Sequence, residues 1–475
     1  MHQAGAALAR AIEEDFREIG GLPVNARLLV LAGKGHNGGD ALLAAQAILE
    51  KYPHAVADTL LCFGETALRP LARRSLEGLR LAGDARVRER SFGQLKSELA
   101  SYDLCIDGVF GFQFHPPMDD ATAGILAWVN THPRIRLRAA VDLPSGLGET
   151  NAGTVFRADF TYATGIVKSP VLLPANAAFV GRPRYLDFGF FEGGRILPKA
   201  PLHVLLPSIL SPLAQLRSPL SDKRTYGHLA VVGGSHSYPG AVVLAVRAAL
   251  RSGTGLVTAF VPERFAVEYA ARYSEAMWVG CPETQSGGLA PGTVDVVRER
   301  LPRVSAVLLG PGLGAAPETL AAVEAIVRIT NIPLVLDADA LRPEIVTAAE
   351  GRPFICTPHA GEYLRIEPAL IAGGELHAQR AVLVLKGPMT RVLDGRTTYY
   401  SLFGGPVLAR GGSGDVLAGL VGGLLAQKSD DPLLAACRGV VWHGCAADLL
   451  ARTHGQVAVE TSQLLEQLGP ALLTT

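Results

Sequence analysis

Three glycines and one carboxylate precede an apolar helix in the run of residues 409–419. The backbone N–H groups of Gly412, Ser413 and Gly414 can turn toward one anion, and the positive end of the helix dipole adds to their attraction. Asp415 would repel a polyphosphate bound there, so its natural use is as a base for a hydroxyl that attacks phosphorus. The alternative is a helix N-cap, since Asp after Gly often starts a helix near this position. The run therefore predicts either a phosphoryl-transfer site or a capped helix.

A second group of polar residues follows three strand-like runs in the first half of the chain. Gly33–Asp40 follows one run, Asp107–Gly111 the next, and Asp142–Gly146 the third. The glycine-rich turn alone is weak evidence, because tight strand-to-helix turns need glycine whether or not anything binds. Because parallel strands end at one edge of a sheet, polar groups from all three ends should meet in one crevice. The alternative for Asp142 is a turn aspartate before Pro144.

The elements that must position these residues alternate between strands and helices in two blocks. In the first block, strands are predicted at 27–32, 59–63, 104–107, 139–142 and 160–163, with a helix at 40–51. In the second block, strands are predicted at 229–232, 256–260, 306–309, 334–337, 354–357 and 382–385, with helices at 241–251 and 317–330. Buried strands alternating with helices are typical of parallel α/β sheets. We therefore expect an α/β domain at 1–198, a proline-rich connector at 199–222 and a second α/β domain at 223–475.

The amino-acid composition indicates what kind of partner the protein binds. Lys+Arg and Asp+Glu balance at 44 each, which argues against a nucleic-acid or membrane-surface partner and favours a small-molecule substrate. Six cysteines without C-x-x-C spacing argue against a zinc cluster and a disulfide scaffold, and fit a cytoplasmic location. No apolar run approaches the ~18 residues of a membrane span. The composition predicts a cytoplasmic protein that acts on a small molecule.

The loops of the first block resemble the N-terminal epimerase domain of the bifunctional NAD(P)H-hydrate repair enzymes, as does the opening Met-His-Gln-Ala-Gly. The resemblance implies a Rossmann-like three-layer αβα domain whose nicotinamide-nucleotide site is lined by His36, Asn37, Gly38, Gly39 and Asp40. It implies that Asn37, Asp107 and Ser145 bind K⁺ and that Asp142 is catalytic. The chain differs from the family pattern at His36, at Ala41, and at Phe112 and Gln113, which alter the loop over the substrate. A binding-only or regulatory first domain is the alternative.

The second block carries ordered motifs at 233–241, 310–314, 337–341, 357–362, 385–387 and 411–415, similar to the ADP-dependent NAD(P)H-hydrate dehydratases of ribokinase-like fold. The resemblance implies that Ala241, Gly312 and His359 contact the substrate and that Asp415 is the catalytic base. It implies a nucleotide site formed by Lys386, Gly387, Pro388, Met389, Thr390, Gly412, Ser413 and Gly414. Arg410 stands where the family usually has threonine. His443 is interpreted as a packing histidine.

The resemblance covers nearly the whole chain and implies metabolite repair. The second domain would dehydrate (6S)-NAD(P)H hydrate to NAD(P)H, using ADP as the phosphoryl donor and releasing AMP and phosphate. Mg²⁺ is expected as a bridge between the phosphate oxygens. The first domain would interconvert the 6R and 6S hydrates, and a homo-oligomer is expected. The alternatives are a ribokinase-like vitamin or sugar kinase with a non-catalytic nucleotide-binding N-terminal domain, and a nucleotide-sensing protein with two decayed sites.

Overall fold

The computed structural model describes residues 2–98, 100–151, 153–189 and 201–474. Its backbone contacts divide the chain into two compact units. The first unit comprises Met1–Pro198 together with Ala451–Gln456, and the second comprises Lys199–Leu450 together with Val457–Thr475. The boundary predicted between 198 and 199 lies outside the described residues.

The first unit is built on a parallel sheet of seven strands. The strands are β1 (Arg27–Ala32), β2 (Val56–Leu61), β3 (Val87–Glu89), β4 (Tyr102–Gly108), β5 (Ile135–Val141), β6 (Phe160–Thr164) and β7 (Arg182–Leu186). The helices are α1 (His2–Phe16), α2 (His36–Lys51), α3 (Pro70–Gly83), α4 (Phe92–Glu98), α5 (Asp120–Thr131), α6 (Ser169–Leu172) and α7 (Ala177–Val180). The strand order is β3-β2-β1-β4-β5-β6-β7, so the order reverses between β1 and β4. Ligands of open α/β sheets bind beyond the carboxyl ends of the strands at such a reversal.

Both faces of this sheet are covered, because alternate residues of β1 belong to two different apolar clusters. Leu28 and Val30 pack in one cluster, and Leu29 and Leu31 pack in the other. Side chains alternate across a strand, so the two clusters lie on opposite faces. The near-continuous apolar run of β1 therefore reflects burial on both sides, as the expected three-layer α/β arrangement requires.

Helix α2 begins earlier than the sequence predicted. It runs from His36, with Gly35 as its N-cap in an extended conformation, whereas the predicted helix began at residue 40. A Cβ at Gly38 would lie 2.3 Å from the carbonyl oxygen of Gly33. The glycines are thus needed for the close approach of the first helical turn to the end of β1. The motif predicted as a loop is mostly the first turn of the helix.

A buried ionic cluster joins helix α1 to strand β7 and to the segment Ala451–Gln456 of the first unit. Asp15 is almost fully buried and accepts hydrogen bonds from Arg184 at 2.8 Å and Arg452 at 3.0 Å. Burial alone would raise the pKa of Asp15, but Arg184 and Arg452 lower it below its usual value. Glu18, also buried, accepts a hydrogen bond from Gln456 at 2.6 Å. The segment Ala451–Gln456 therefore supplies part of the first unit's charge balance.

The second unit is built on a mixed sheet of ten strands. The strands are β8 (Leu202–Val204), β9 (His228–Val232), β10 (Leu256–Pro262), β11 (Met277–Cys281), β12 (Ala306–Leu309), β13 (Leu334–Leu336), β14 (Phe354–Cys356), β15 (Ala381–Leu385), β16 (Thr390–Leu393) and β17 (Thr398–Ser401). The helices are α8 (Pro239–Arg251), α9 (Glu263–Arg272), α10 (Thr293–Arg298), α11 (Pro317–Ile329), α12 (Pro343–Ala348), α13 (Ala360–Ala372), α14 (Ser413–Gln427), α15 (Pro432–His454) and α16 (Thr461–Leu473). The order is β11-β10-β9-β12-β13-β14-β15-β16-β17-β8, with a reversal between β9 and β12.

Three features of the second unit differ from the predictions. The segment predicted as an extended connector contains β8, which pairs with β17, and a 3-10 helix, Pro207–Ala214, whose Leu210 is fully buried. The strands β11, β16 and β17 were not predicted, because β16 and β17 are short and β11 is only partly buried. Helix α14 begins at Ser413 rather than near residue 415.

Helix α15 is long and apolar enough to cross a membrane, but 72% of its most apolar window is buried inside the protein. Such burial is typical of a core helix, since a membrane span would expose its apolar surface. The sequence reading found no run of this kind, because Arg438, His443 and Asp448 interrupt it. All six cysteines are free.

Candidate functional site

Hydrogen bonds to the buried carboxylate of Asp107 hold the loop after β5 against the end of β4. Asp107 accepts hydrogen bonds from the Ser145 hydroxyl at 2.6 Å, from the Ser145 backbone N–H at 2.8 Å and from the Val109 N–H at 3.2 Å. Burial raises the pKa of Asp107 to about 6, and the bonds from Ser145 and Val109 oppose that rise. No cationic side chain of the described residues forms an ion pair with Asp107. The carboxylate is thus buried among neutral donors.

Asn37 joins the same three strand ends. Its side-chain nitrogen donates to the backbone oxygen of Phe110 at 2.7 Å and to that of Val141 at 3.0 Å. The structure therefore brings Asn37, Asp107 and Ser145, the three residues predicted to bind K⁺, to the reversal between β1 and β4.

Asp142 is held in an unusual conformation directly after β5. Its φ is +69°, a region that residues other than glycine rarely adopt, and such strain is often found at functional sites. Its Oδ1 accepts hydrogen bonds from the Thr164 hydroxyl at 2.9 Å and from the ammonium group of Lys168. The sequence did not predict either partner, since neither Thr164 nor Lys168 belongs to a glycine-rich or acidic motif. The strand β6 and the turn after it therefore orient Asp142.

Asp40 lies in the first turn of α2, close to the charge of Asp142. Burial, with a smaller contribution from the negative charge of Asp142, raises the pKa of Asp40 to about 6. Its Oδ1 is buried and has no hydrogen-bond partner among the described residues. A carboxyl group with a pKa near neutrality can both give and take a proton at physiological pH.

The remaining predicted residues of the first site differ in exposure. His36 is exposed, whereas Gly38 and Gly39 are buried. Ala41 is fully buried beside Gly108: a Cβ added to Gly108 would lie 2.6 Å from the Ala41 methyl group. The side chain of Ala41, which differs from the family pattern, therefore packs against the sheet. Phe112 is 64% exposed and Gln113 is exposed beside it, so this departure alters only the surface loop.

In the second unit, Asp415 lies in the first turn of α14 but does not cap it. The N-cap is Gly412, with a φ of +88° and no side-chain cap bond. Burial raises the pKa of Asp415 to about 7, and the charge of Asp337 raises it while that of Lys386 lowers it. This value is near the optimum for a general base at neutral pH. The structure therefore does not support the N-cap alternative for Asp415, and its role as a base stays a prediction.

Lys386 is the cation that faces this carboxylate. It follows β15, and its ammonium group donates to Asp337 at 3.0 Å and lies 3.8 Å from Glu362. Burial would lower the pKa of Lys386, but the charges of Asp337, Glu362 and Asp415 raise it above its usual value. A Cβ at Gly414 would lie 3.3 Å from the ammonium nitrogen, so Lys386 reaches the first turn of α14. The turn Gly387–Met389 then leads into Thr390, the first residue of β16.

His359 is the N-cap of α13 and stands beside Lys386 in a short parallel bridge. Its Nδ1 accepts hydrogen bonds from the N–H groups of Gly361 at 3.0 Å and Glu362 at 3.3 Å. An accepting Nδ1 places the proton of the neutral ring on Nε2, and the side chain is 61% exposed. The Nε2 of His359 lies 3.5 Å from Oε1 of Glu362, while its Nδ1 fixes the ring.

Ala241 and Gly312 lie next to each other at the reversal between β9 and β12. A Cβ at Gly312 would lie 3.0 Å from the Ala241 Cβ and 2.4 Å from the carbonyl oxygen of Tyr238. Gly312 also has a φ of +67°, so two independent reasons require glycine there. These two predicted substrate residues are therefore in contact.

The loop before α14 is fixed by its own side chains. The Ser413 hydroxyl donates to the carbonyl oxygens of Leu408 at 2.7 Å and Arg410 at 3.0 Å, while Arg410 donates to Val457 at 2.7 Å. His443 is buried, and this burial lowers the pKa of His443 to about 4. His443 therefore packs as a neutral ring behind the loop. No group of three metal-ligating side chains occurs in the described part of the chain.

Comparison with known families and proteins agrees with this geometry. A model of the NAD(P)H-hydrate dehydratase family matches residues 229–470, and a model of the YjeF-related protein N-terminus matches residues 1–169. The bifunctional NAD(P)H-hydrate repair enzyme of Gloeobacter violaceus is 36% identical over 99% of this chain and 93% of its own length. That of Moorella thermoacetica is 33% identical over 98% of this chain and 91% of its own length.

Among solved structures, an ADP/ATP-dependent NAD(P)H-hydrate dehydratase from Bacillus subtilis, co-crystallised with ATP and Mg²⁺, is 25% identical and covers 57% of this chain and 98% of its own, with a TM-score of 0.48. A ribokinase-like protein from Enterococcus faecalis is 24% identical and covers 59% of this chain and 98% of its own, with a TM-score of 0.49. Two family models in the same order and relatives matched over nearly their full length lead to one conclusion: the chain belongs to the family of bifunctional NAD(P)H-hydrate repair enzymes.

Proposed function

We propose that the chain repairs NAD(P)H hydrates, with adenine-nucleotide-dependent dehydration in the second unit and epimerisation of the hydrate in the first. The observation that carries the proposal is Asp415, a carboxyl group in the first turn of α14, which Lys386 also reaches; burial raises the pKa of Asp415 to about 7. A carboxylate that merely capped the helix would occupy the position of Gly412. Asp415 instead lies one residue after Gly414, among the backbone N–H groups that we propose hold the phosphate.

Dehydration begins when Asp415 takes the proton of the C6 hydroxyl of the hydrated nicotinamide. The hydroxyl oxygen attacks the terminal phosphoryl group of the nucleotide, and the backbone donors of Gly412–Gly414 take up the developing charge. The bond from phosphorus to the departing nucleotide oxygen breaks. Phosphate then leaves C6 while a proton leaves C5, which restores the dihydropyridine ring. His359 supplies an N–H donor that orients the substrate, beside Ala241 and Gly312.

The proposed donor is ADP, which releases AMP and phosphate. The predicted nucleotide site, Lys386–Thr390 with Gly412–Gly414, offers one ammonium group and one helix end. The charge of Lys386 is already offset by the carboxylates of Asp337 and Glu362, so little positive charge remains for the third phosphate that ATP would add. When bound, Mg²⁺ would neutralise charge on the transferred phosphoryl group, with most of its ligands coming from phosphate oxygens and water.

For the epimerase, we assign the proton transfer to Asp40 and the stabilisation of developing positive charge to Asp142. Protonated Asp40 gives its proton to the C6 hydroxyl, which departs as water and leaves a planar C6 cation stabilised by the ring nitrogen. Water then adds to the opposite face and its proton returns to carboxylate. Lys168 and Thr164 hold Asp142 in place, so its charge faces the cation that forms.

The strand ends also fit a bound K⁺ ion. Asp107 is a buried carboxylate without a cation among the described residues, and a buried charge without an opposite charge is costly. The backbone oxygens of Phe110 and Val141 both accept from the side-chain amide of Asn37. A rotation of this amide by 180° would put its oxygen, a possible K⁺ ligand, where its nitrogen now lies. A bound K⁺ would be held by Asn37, Asp107 and Ser145 and would fix the loops around the substrate.

The direct test incubates the full chain with hydrated NADH and ADP while dihydronicotinamide absorbance and phosphate are followed. We expect absorbance to return with one phosphate released per NADH. Pure 6R hydrate should be consumed completely with the parent protein but only at the uncatalysed epimerisation rate with an Asp142→Ala variant. Phosphate release without recovery of absorbance, or phosphorylation of an added vitamin or sugar, would favour the kinase alternative instead.

A further inference from the structure

Two aspartates that follow β13 bond to different neighbours. Asp337 and Asp339 are separated by Ala338, whose φ of +48° is a conformation that residues with a Cβ rarely adopt. Asp337 is buried and accepts a hydrogen bond from Lys386 at 3.0 Å. Asp339 instead accepts the backbone N–H of Gly314 at 2.9 Å through its Oδ2. The turn at Ala338 thus gives the nucleotide side one carboxylate and the Gly314 loop the other.

Asp339 keeps part of its carboxylate available. It remains partly exposed, and its Oδ1 forms no hydrogen bond with any residue that the structure describes. None of the described cations forms an ion pair with it, since Lys386 pairs with Asp337 and lies near Glu362. A carboxylate has about four acceptor positions, so Asp339 can bond a donor on a ligand while it holds Gly314.

Asp339 lies near both a predicted substrate residue and the proposed base. Its partner Gly314 follows Gly312, which the resemblance assigns to the substrate, by two positions. Burial, then the charge of Asp337 and to a smaller extent that of Asp339, raise the pKa of Asp415 to about 7. Asp339 is therefore within electrostatic range of Asp415 while it is bonded to the loop beside Gly312.

The substrate carries one donor that suits this position. A hydrated dihydronicotinamide ring has its hydroxyl at C6 and its carboxamide at C3, on opposite sides of the ring. When Asp415 takes the proton at C6, the carboxamide lies one ring away from Asp415. The carboxamide nitrogen has two N–H donors, whereas a carboxylate in its place has none and is negatively charged. An unpaired carboxylate of the protein therefore attracts the amide and repels the acid.

From these observations we infer that Asp339 binds the carboxamide of the nicotinamide ring through Oδ1 and makes the second unit selective for the nicotinamide dinucleotide against its nicotinic acid analogue. This inference rests on the proposed dehydratase function and adds a specificity-determining residue to it. The carboxamide is remote from the reacting C6 atom, so Asp339 contributes to substrate choice rather than to proton transfer.

The test compares the 6S hydrate of NADH with that of its acid analogue, in which the ring carboxamide is a carboxylate, as substrates of the full chain. We expect kcat/KM for hydrated NADH to be about 10–100 times that for the analogue, the usual loss for a hydrogen bond to a charged group. In Asp339→Asn the new amide can still accept from Gly314 and can donate to the acid analogue. The ratio should therefore fall below about three, mostly through KM.

Asp394→Asn is the matched control for this variant. Asp394 also accepts backbone N–H groups, those of Arg396 at 2.9 Å and Thr397 at 2.8 Å, but it lies in the turn after β16. Because asparagine keeps an acceptor for these bonds, the control should fold normally. It should leave the ratio of the two kcat/KM values at its parental level.

Hydrogen–deuterium exchange separates this inference from the dehydratase proposal, since it needs no turnover. Exchange of residues 310–316 should slow with NADH in the parent, slow less with the acid analogue of NADH, and show no such difference in Asp339→Asn. A preference for NADH in a parent that fails to dehydrate would contradict the dehydratase proposal but support the carboxamide site. Equal exchange or equal kcat/KM for the two ligands in the parent, or a parental ratio in Asp339→Asn, would overturn the inference.

Discussion

Replacing Asp415 by asparagine should separate stability from catalysis. Asparagine has nearly the same shape but cannot accept the proton of the C6 hydroxyl. We expect dehydration to slow by roughly 10²–10⁴-fold, the usual contribution of a general base. Because Gly412, not Asp415, is the N-cap of α14, the helix should not lose a cap.

The same substitution should stabilise the folded protein at neutral pH. A carboxyl group whose pKa rises from 3.8 unfolded to about 7 folded makes the folded state up to about 4 kcal/mol less stable once it is ionised. The penalty is absent below about pH 4, grows as pH rises, and is complete above about pH 7. Since Asp415 is only partly buried, we expect a smaller gain for asparagine, about 1–3 kcal/mol at pH 8 and little at pH 4.

Two assays on the same preparations check these effects. Recovery of dihydronicotinamide absorbance gives the dehydration rate, and thermal unfolding between pH 4 and pH 8 gives stability. Asp431→Asn is the matched control, because Asp431 precedes α15 and its Oδ1 accepts from the Leu434 N–H at 3.0 Å, a capping bond that asparagine can also form. This control should change neither measurement.

The reasoning fails if Asp415→Asn dehydrates at a near-parental rate, since another base would then be needed. It also fails if the variant is less stable than the parent at pH 8, because the carboxylate would then support the fold.

Three other predictions concern the charged residues around the two sites. Lys386→Met should weaken ADP binding by about 1.5–3 kcal/mol in calorimetry and lower the melting temperature, because buried Asp337 loses its cation; unchanged affinity would remove Lys386 from the nucleotide site. Lys168→Met should lower the epimerase kcat while dehydration of pure 6S hydrate stays at the parental rate, and an equal loss of both activities would indicate a folding defect. Replacing K⁺ by choline should slow epimerisation, and Asp107→Asn should abolish the response to K⁺; equal rates in both salts would contradict the proposed ion site.

The sequence predicted the strands better than the starts of the helices. Strand β1 and strand β12 lie exactly where the apolar runs predicted, because a strand buried on both faces has no polar interruption. Helix α2 was predicted four residues too late, since glycine is normally a poor helix former. Its glycines are tolerated because the backbone of β1 packs against that turn. Local propensity cannot report such long-range packing.

The partners of the predicted site residues were also beyond the sequence. Lys168 lies 26 residues after Asp142, and no pattern links a lysine after β6 with an aspartate after β5. Similarly, the raised pKa of Asp415 depends on burial and on Asp337, which follows a different strand. The motifs correctly followed the ends of the strands, whereas the charges that shift the pKa values of the residues there come from the three-dimensional arrangement.

The buried contacts of Asp15 and Glu18 affect when the first unit can finish folding during translation. Residue 198 ends the main segment of the first unit, but Arg452 and Gln456 emerge about 250 residues later. At ~5–20 residues per second, the ribosome needs roughly 12–50 s to supply them. During that interval Asp15 has only part of its cationic partners. The amino-terminal half should therefore complete its folding only when nearly the entire polypeptide has been made, which makes a prematurely terminated chain a target for proteolysis.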